Sequence, residues 1–126
     1  MKKKFSRSWN KSKQPRKQRK YRYNAPLNIK IKFMGCHLSK ELRGKYKKRS
    51  ITIRKGDSIK VLRGKFKGKT GKIDRVDIKK SKVYITGIDV AKKDGTKALY
   101  PIHPSNLVIN ELNLEDKKRV KSLERI

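Results

Sequence analysis

The densest chemistry of the chain lies between positions 60 and 72, where Lys60, Arg63, Lys65, Lys67, Lys69 and Lys72 occur with no acidic residue among them. Like charges this close repel, so the cluster is satisfied only when an anion arrives from outside. A phosphate backbone is the fitting anion. Two other groupings invite chemistry and fail. His103 and Ser105, with a nearby acid such as Asp94, have the residue types of a hydrolase. Yet His103-Pro104-Ser105-Asn106 reads better as a turn in which Ser and Asn bond the local backbone. Neither a nucleophile elbow nor a phosphate-binding helix loop accompanies it, so no catalytic residue is assigned. Cys36 and His37 are adjacent with no second ligand pair, a poor start for a tetrahedral site, so no metal and no cofactor are expected.

A hairpin must carry the cations. Ile59 and Val61, then Ile73 and Val76, give the apolar side of two strands, and Gly64, Gly68 and Gly71 let the connection bend. From Ile51 the apolar period is two, which predicts strands over 50–54, 57–62, 71–78 and 82–86. A bulge between Ile73 and Val76 restores the alternation and bends the strand. The turn Lys92-Lys93-Asp94-Gly95 returns 89–91 against 96–100, Pro101 and Pro104 mark an edge, and 107–109 forms a last strand. Roughly five short strands in about sixty residues imply a small SH3-like barrel over 50–112.

The flanks divide into a basic extended tail (1–23), a helical segment (24–49) and a closing helix or tail (113–126). Residues 2–22 carry eleven Lys or Arg, no acid, and Phe5, Trp9 and Tyr21. With so little apolar surface the tail is expected to be disordered in isolation. Aromatics among cations suit RNA, since rings stack on unpaired bases while ammonium groups take phosphates. The blander reading is a localisation signal or a solvated tail. Asn24-Ala25-Pro26 reads as a helix start, with Leu27, Ile31 and Met34 at helical spacing up to Gly35. Ser39 caps a second short helix carrying Leu42 and Tyr46. Asn113 caps the closing helix, whose few apolar residues, Val120 and Leu123, predict that it is exposed or docked on a partner.

At 126 residues and a net charge of +29 the chain allows one small domain with extensions, under strong self-repulsion. Such a chain binds polyanions in a strongly salt-dependent way. One cysteine excludes an internal disulfide, and no apolar run reaches the ~20 residues of a spanning helix, so an intracellular protein with no membrane span and no homo-oligomer is expected.

The hairpin resembles the KOW motif, matched at Gly56, Asp57, Ile59, Val61, Gly64, Lys67, Gly68, Gly71 and Ile73. Beyond it, Asn24-Ala25-Pro26, Leu38-Ser39-Lys40-Glu41-Leu42-Arg43, Arg49-Ser50 and Ile102-His103-Pro104-Ser105-Asn106 resemble one family. This is the large-subunit ribosomal protein numbered twenty-four in bacteria and archaea and twenty-six in eukaryotes, in its archaeal and eukaryotic form. The resemblance covers roughly 16–115. It implies a mainly β fold, a KOW barrel behind a basic extension with two short helices, and a short C-terminal helix. It also implies direct binding to large-subunit rRNA near its 5′ end, early subunit assembly, neighbouring ribosomal proteins, and a cytoplasmic place on the ribosome near the tunnel exit, where nascent-chain or targeting factors gather. A KOW-type transcription elongation factor contacting polymerase or nascent RNA is the alternative. The candidate rRNA-binding residues are Lys55, Arg63, Lys65, Lys67, Lys69 and Lys72 in the hairpin region, Arg7, Trp9, Arg16, Arg19, Lys20, Tyr21 and Arg22 in the tail, and Arg49 before the first strand. Gly56, Gly64, Gly68 and Gly71 are the structural glycines.

Overall fold

The computed structural model describes residues 1–125; Ile126, the last residue of the expected closing segment, lies outside them. The alternation seen from Ile51 onward builds most of one sheet. Its strands are β1 (Gly35–Leu38), β2 (Ser50–Thr52), β3 (Ser58–Val61), β4 (Thr70–Asp77), β5 (Lys82–Ile85) and β8 (Leu107–Glu111), in the order β2-β1-β8-β3-β4-β5. A separate hairpin pairs β6 (Asp89–Ala91) with β7 (Lys97–Leu99) through the expected Asp-Gly turn. Strand β1 runs parallel to β8, and the other pairs are antiparallel.

Because side chains alternate across a strand, Cys36 and Leu38, Ile59 and Val61, Ile73, Val83 and Ile85, and Leu107 and Ile109 all point to one side. They form a single buried core. For strands at both ends of the order to share that core, the sheet must curl. The register between β4 and β5 shifts between Ile73 and Arg75, which is the expected bulge and one cause of that curl. The fold is therefore mainly β and barrel-like, although among the described residues the ladder stays open at β2 and β5.

Three expectations are corrected. Residues 24–49 are not all helical, since 35–38 form a strand inside the sheet. Cys36 and Leu38 alone give too short an alternation to betray it. The tail is not simply extended: α1 (Pro15–Asn24) is a helix, and a 3-10 turn covers Arg7–Lys11. Pro15 suits the first turn, while Pro26, without an N–H, separates α1 from α2 (Leu27–Lys30), which runs on as a 3-10 turn to Met34. The ordering force is aromatic and polar: Phe5 stacks on Tyr21 at 5.4 Å, Tyr21 meets the edge of Phe33 at 5.8 Å, and Gln18 Nε2 donates to the carbonyls of Trp9, Asn10 and Ser12. The helix α3 (Lys40–Tyr46) is capped by Ser39 as expected, its Oγ accepting from Leu42 N at 3.4 Å.

The third correction concerns α4 (Lys117–Glu124). Its cap is Asp116, whose carboxylate accepts from Lys118 N, whereas Asn113 turns the chain ahead of it. The helix is also docked on its own chain, with Arg119 and Leu123 buried. Arg119 makes a bidentate pair with Asp57, both bonds 2.6 Å long, and reaches the carbonyls of Thr52 and Asn113. Asp57 also accepts from the backbone N–H groups of Arg54 and Asn113. The motif's acid is thus a buried junction between the start of β3 and the C-terminal helix.

Candidate nucleic-acid interface

The basic loop between β3 and β4 is held by its own backbone. Val61 N–H donates to Lys69 O, Gly68 N–H to Val61 O and Lys67 N–H to Gly64 O, while Leu62 N–H ties the base of the loop to Asn106 O. Gly64 and Gly68 have φ of 96° and 86°, a conformation other residues avoid. Gly71 works differently from expectation. It lies within β4, and a Cβ there would stand 2.7 Å from Thr86 O, so it permits close strand approach and not a bend. Phe66 folds inward from the loop and is buried, with the ammonium groups of Lys65 and Lys69 5.8 and 5.1 Å from its ring. The apolar anchor goes in, and the cations stay out.

Arg63, Lys65, Lys67 and Lys69 gather at this exposed tip. Lys72 sits down the hairpin, opposite Ser58, on the outer face that also carries Lys60. Lys55 stands apart, at the other end of β3, where it borders a cleft with Asn113, Glu115 and Asp116. Arg54 pairs with Asp116 there, and that hydrogen bond together with the Lys118 N–H holds the Asp116 carboxyl below the usual range. Arg49 is exposed between α3 and β2, away from the tip.

The tail residues divide likewise. Lys20 lies 5.1 Å from the Trp9 ring, and Tyr21 is engaged by Phe5 and Phe33, so both aromatics position the extension. Arg7 borders a small cleft with Asn10, Asn28 and Lys32, and Arg16 is exposed on α1. Arg19 and Arg22 face a different place. They line a cleft of about 500 Å³ with Tyr23, Phe33, the turn Lys79-Lys80-Ser81-Lys82, and His103. Sequence reasoning missed this side of the molecule. The run Lys79, Lys80, Lys82 was its one visible signal, and nothing in the order of residues placed it opposite α1.

His103 Nδ1 accepts from Ser105 N–H at 3.2 Å and lies 2.8 Å from Ser105 Oγ, so the imidazole, not the Ser or Asn side chain, caps the turn at 104–106. Burial, Lys82 and Arg22 hold its pKa below the ordinary value. Burial, and less so the Asp57 charge, pushes the Cys36 thiol up to about 12, while its S–H reaches Leu107 O. It is a core residue with no thiolate to offer. Among the described residues, only Arg54 and Arg119 have a carboxylate within salt-bridge distance, and no cluster of three metal-ligating side chains occurs. No helix among them is long and apolar enough to cross a membrane. What remains is a surface of unpaired cations with aromatic rings set between them.

A family profile described as the ribosomal proteins named L26 in eukaryotes and, in archaea, by the number 24 matches residues 12–126. The chain is 47% identical over 114 residues to the large ribosomal subunit protein uL24 of Methanosphaera stadtmanae, a match covering 90% of this chain and 97% of that protein.

Proposed function

The chain belongs to this family of eukaryotic and archaeal large-subunit ribosomal proteins, and on that footing we propose that it binds large-subunit rRNA directly, near the 5′ end of that RNA. The observation that carries this reading is the rigid loop that holds Arg63, Lys65, Lys67 and Lys69 outward without a neighbouring carboxylate. Unpaired ammonium groups on a fixed frame neutralise phosphates at little reorganisation. Lysines far outnumber arginines in the chain, which favours backbone neutralisation over bidentate reading of bases. Recognition is then chiefly by the shape of the folded RNA, with Lys72, Lys55, Arg49 and the cations of the tail extending the contact. In this role the protein is a structural, non-enzymatic part of the cytoplasmic large subunit. It assists early assembly beside neighbouring ribosomal proteins and lies near the tunnel exit, within reach of nascent-chain or targeting factors.

The test is a salt titration of binding to a transcript of the 5′ domain of large-subunit rRNA. For roughly ten contacted phosphates, log K falls against log salt with a slope of about −7 to −9. Lys65→Glu with Lys67→Glu flattens that slope. An unchanged slope removes the loop from the interface, and no preference for this transcript over unrelated RNA removes the reading.

A further inference from the structure

The large cleft between α1 and the β4–β5 turn continues into a second one, about 190 Å³, that reaches the tip of the basic loop. Lys82 and His103 line both, and so form the saddle between them. Arg19 and Arg22 line the larger compartment and Arg63 and Lys65 the smaller, and no acidic residue lines either. Each compartment has an exposed ring on its wall. Tyr23 is 82% exposed in the large one and Tyr100 42% exposed in the small one. The Tyr100 ring is tilted against Phe66 at 5.1 Å and offers only its outer side, whereas the Tyr23 ring is largely bare. Aromatic surface left in water beside a row of cations is the arrangement that takes unstacked bases. Paired bases of a duplex keep their faces covered and cannot use it.

We propose that this groove binds a short unpaired RNA strand, one phosphate lying on the saddle between Lys82 and His103 and the flanking bases stacking on Tyr23 and Tyr100. Because Nδ1 of His103 accepts from Ser105 N–H, the neutral ring carries its proton on Nε2, and that N–H donates a hydrogen bond to the phosphate. This deepens the rRNA-binding reading and rests on it for the source of the strand, which is a loop or bulge of the same RNA.

The probe is a labelled octauridylate carrying 4-thiouridine, offered to the full chain beside an eight-base-pair RNA duplex. The groove predicts preference for the single strand and photocrosslinks at Tyr23 and Tyr100. Tyr23→Leu with Tyr100→Leu lowers affinity by about 5-fold or more with the salt slope unchanged, since a stacking surface is lost and no charge. Lys82→Met reduces the slope by about 0.7. Thermal melts of the free variants separate these effects from misfolding, and the crosslink map of the unaltered chain needs no variant. Crosslinks confined to the 62–69 loop or to residues before α1, or equal affinity of the tyrosine variant, overturn the groove. If that happens while the rRNA transcript still binds with its steep slope, the broader reading stands. If octauridylate occupies the groove but the transcript shows no preference, the broader reading falls instead.

Discussion

At the scale of single residues, two side chains behave unlike the rest of a cationic surface. Asp57 and Arg119 are both buried, and Asp57 has four donors around it. Removing one member of such a pair leaves an uncompensated charge in the interior, so Arg119→Ala is expected to lower unfolding stability by about 3–5 kcal/mol. Chemical denaturation checks it, and a loss below about 1 kcal/mol contradicts the junction. Asp57 stands out in the sequence as the motif's acid, but its partner lies 62 positions away and reads there as one more cation of an exposed helix. Charge alone cannot distinguish a solvated arginine from a buried one.

His103 gives a pH prediction. Burial, Lys82 and Arg22 hold its pKa in the folded protein below the ordinary 6.5, and protonation of Nδ1 also disrupts the bond from Ser105 N–H. The unfolded chain therefore takes up the proton first. The His103 contribution to stability is complete above pH 6.5 and is lost as pH falls through the lower folded value. An NMR titration of the free protein is expected to give a His103 midpoint below 6.5, and His103→Gln to flatten the fall of stability on the acid side of 6.5. A midpoint at or above 6.5 contradicts the electropositive surroundings.

At the scale of elements, two glycines in the same chain have opposite expectations. Gly71→Ala forces a methyl against Thr86 O and Ile85 Cγ2, at 2.7 and 2.8 Å, and so parts β4 from β5. The expected loss is about 1–3 kcal/mol. Gly44 lies in α3 with nothing within 4 Å, so Gly44→Ala is expected to add about 0.5–1 kcal/mol by restricting the unfolded chain. Thermal unfolding of both variants decides, and equal shifts contradict the strand packing. Most strands were legible, including the bulge after Ile73, because the core pattern of a half-buried strand repeats every two residues. Strand β1 was not, since four residues with two inward positions carry too little pattern. Helix α1 was hidden by its composition: it has no buried residue, and what orders it comes from Gln18 and Tyr21 reaching other segments. The turn positions of the 62–69 loop could be read locally, whereas the groove opposite α1 is formed by segments distant in sequence.

For the whole molecule, a net charge of +29 on 126 residues is the dominant fact, and the fold contains little to offset it. Screening should therefore stabilise the free protein. Its thermal midpoint is expected to rise by several degrees as salt is raised from about 10 to 300 mM, while affinity for rRNA falls over the same range. A midpoint that falls with salt would mean that ion pairing, not repulsion, dominates the free state.

Crosslinking in living cells, followed by sequencing of the attached RNA and mapping of the crosslinked peptides, puts rRNA binding through this surface to the sharpest test. The expected RNA is the 5′ region of large-subunit rRNA, with peptides from the 62–69 loop, α1 and the Lys79–His103 side of the groove. Recovery chiefly of messenger or nascent transcripts, or of peptides from other faces alone, contradicts it.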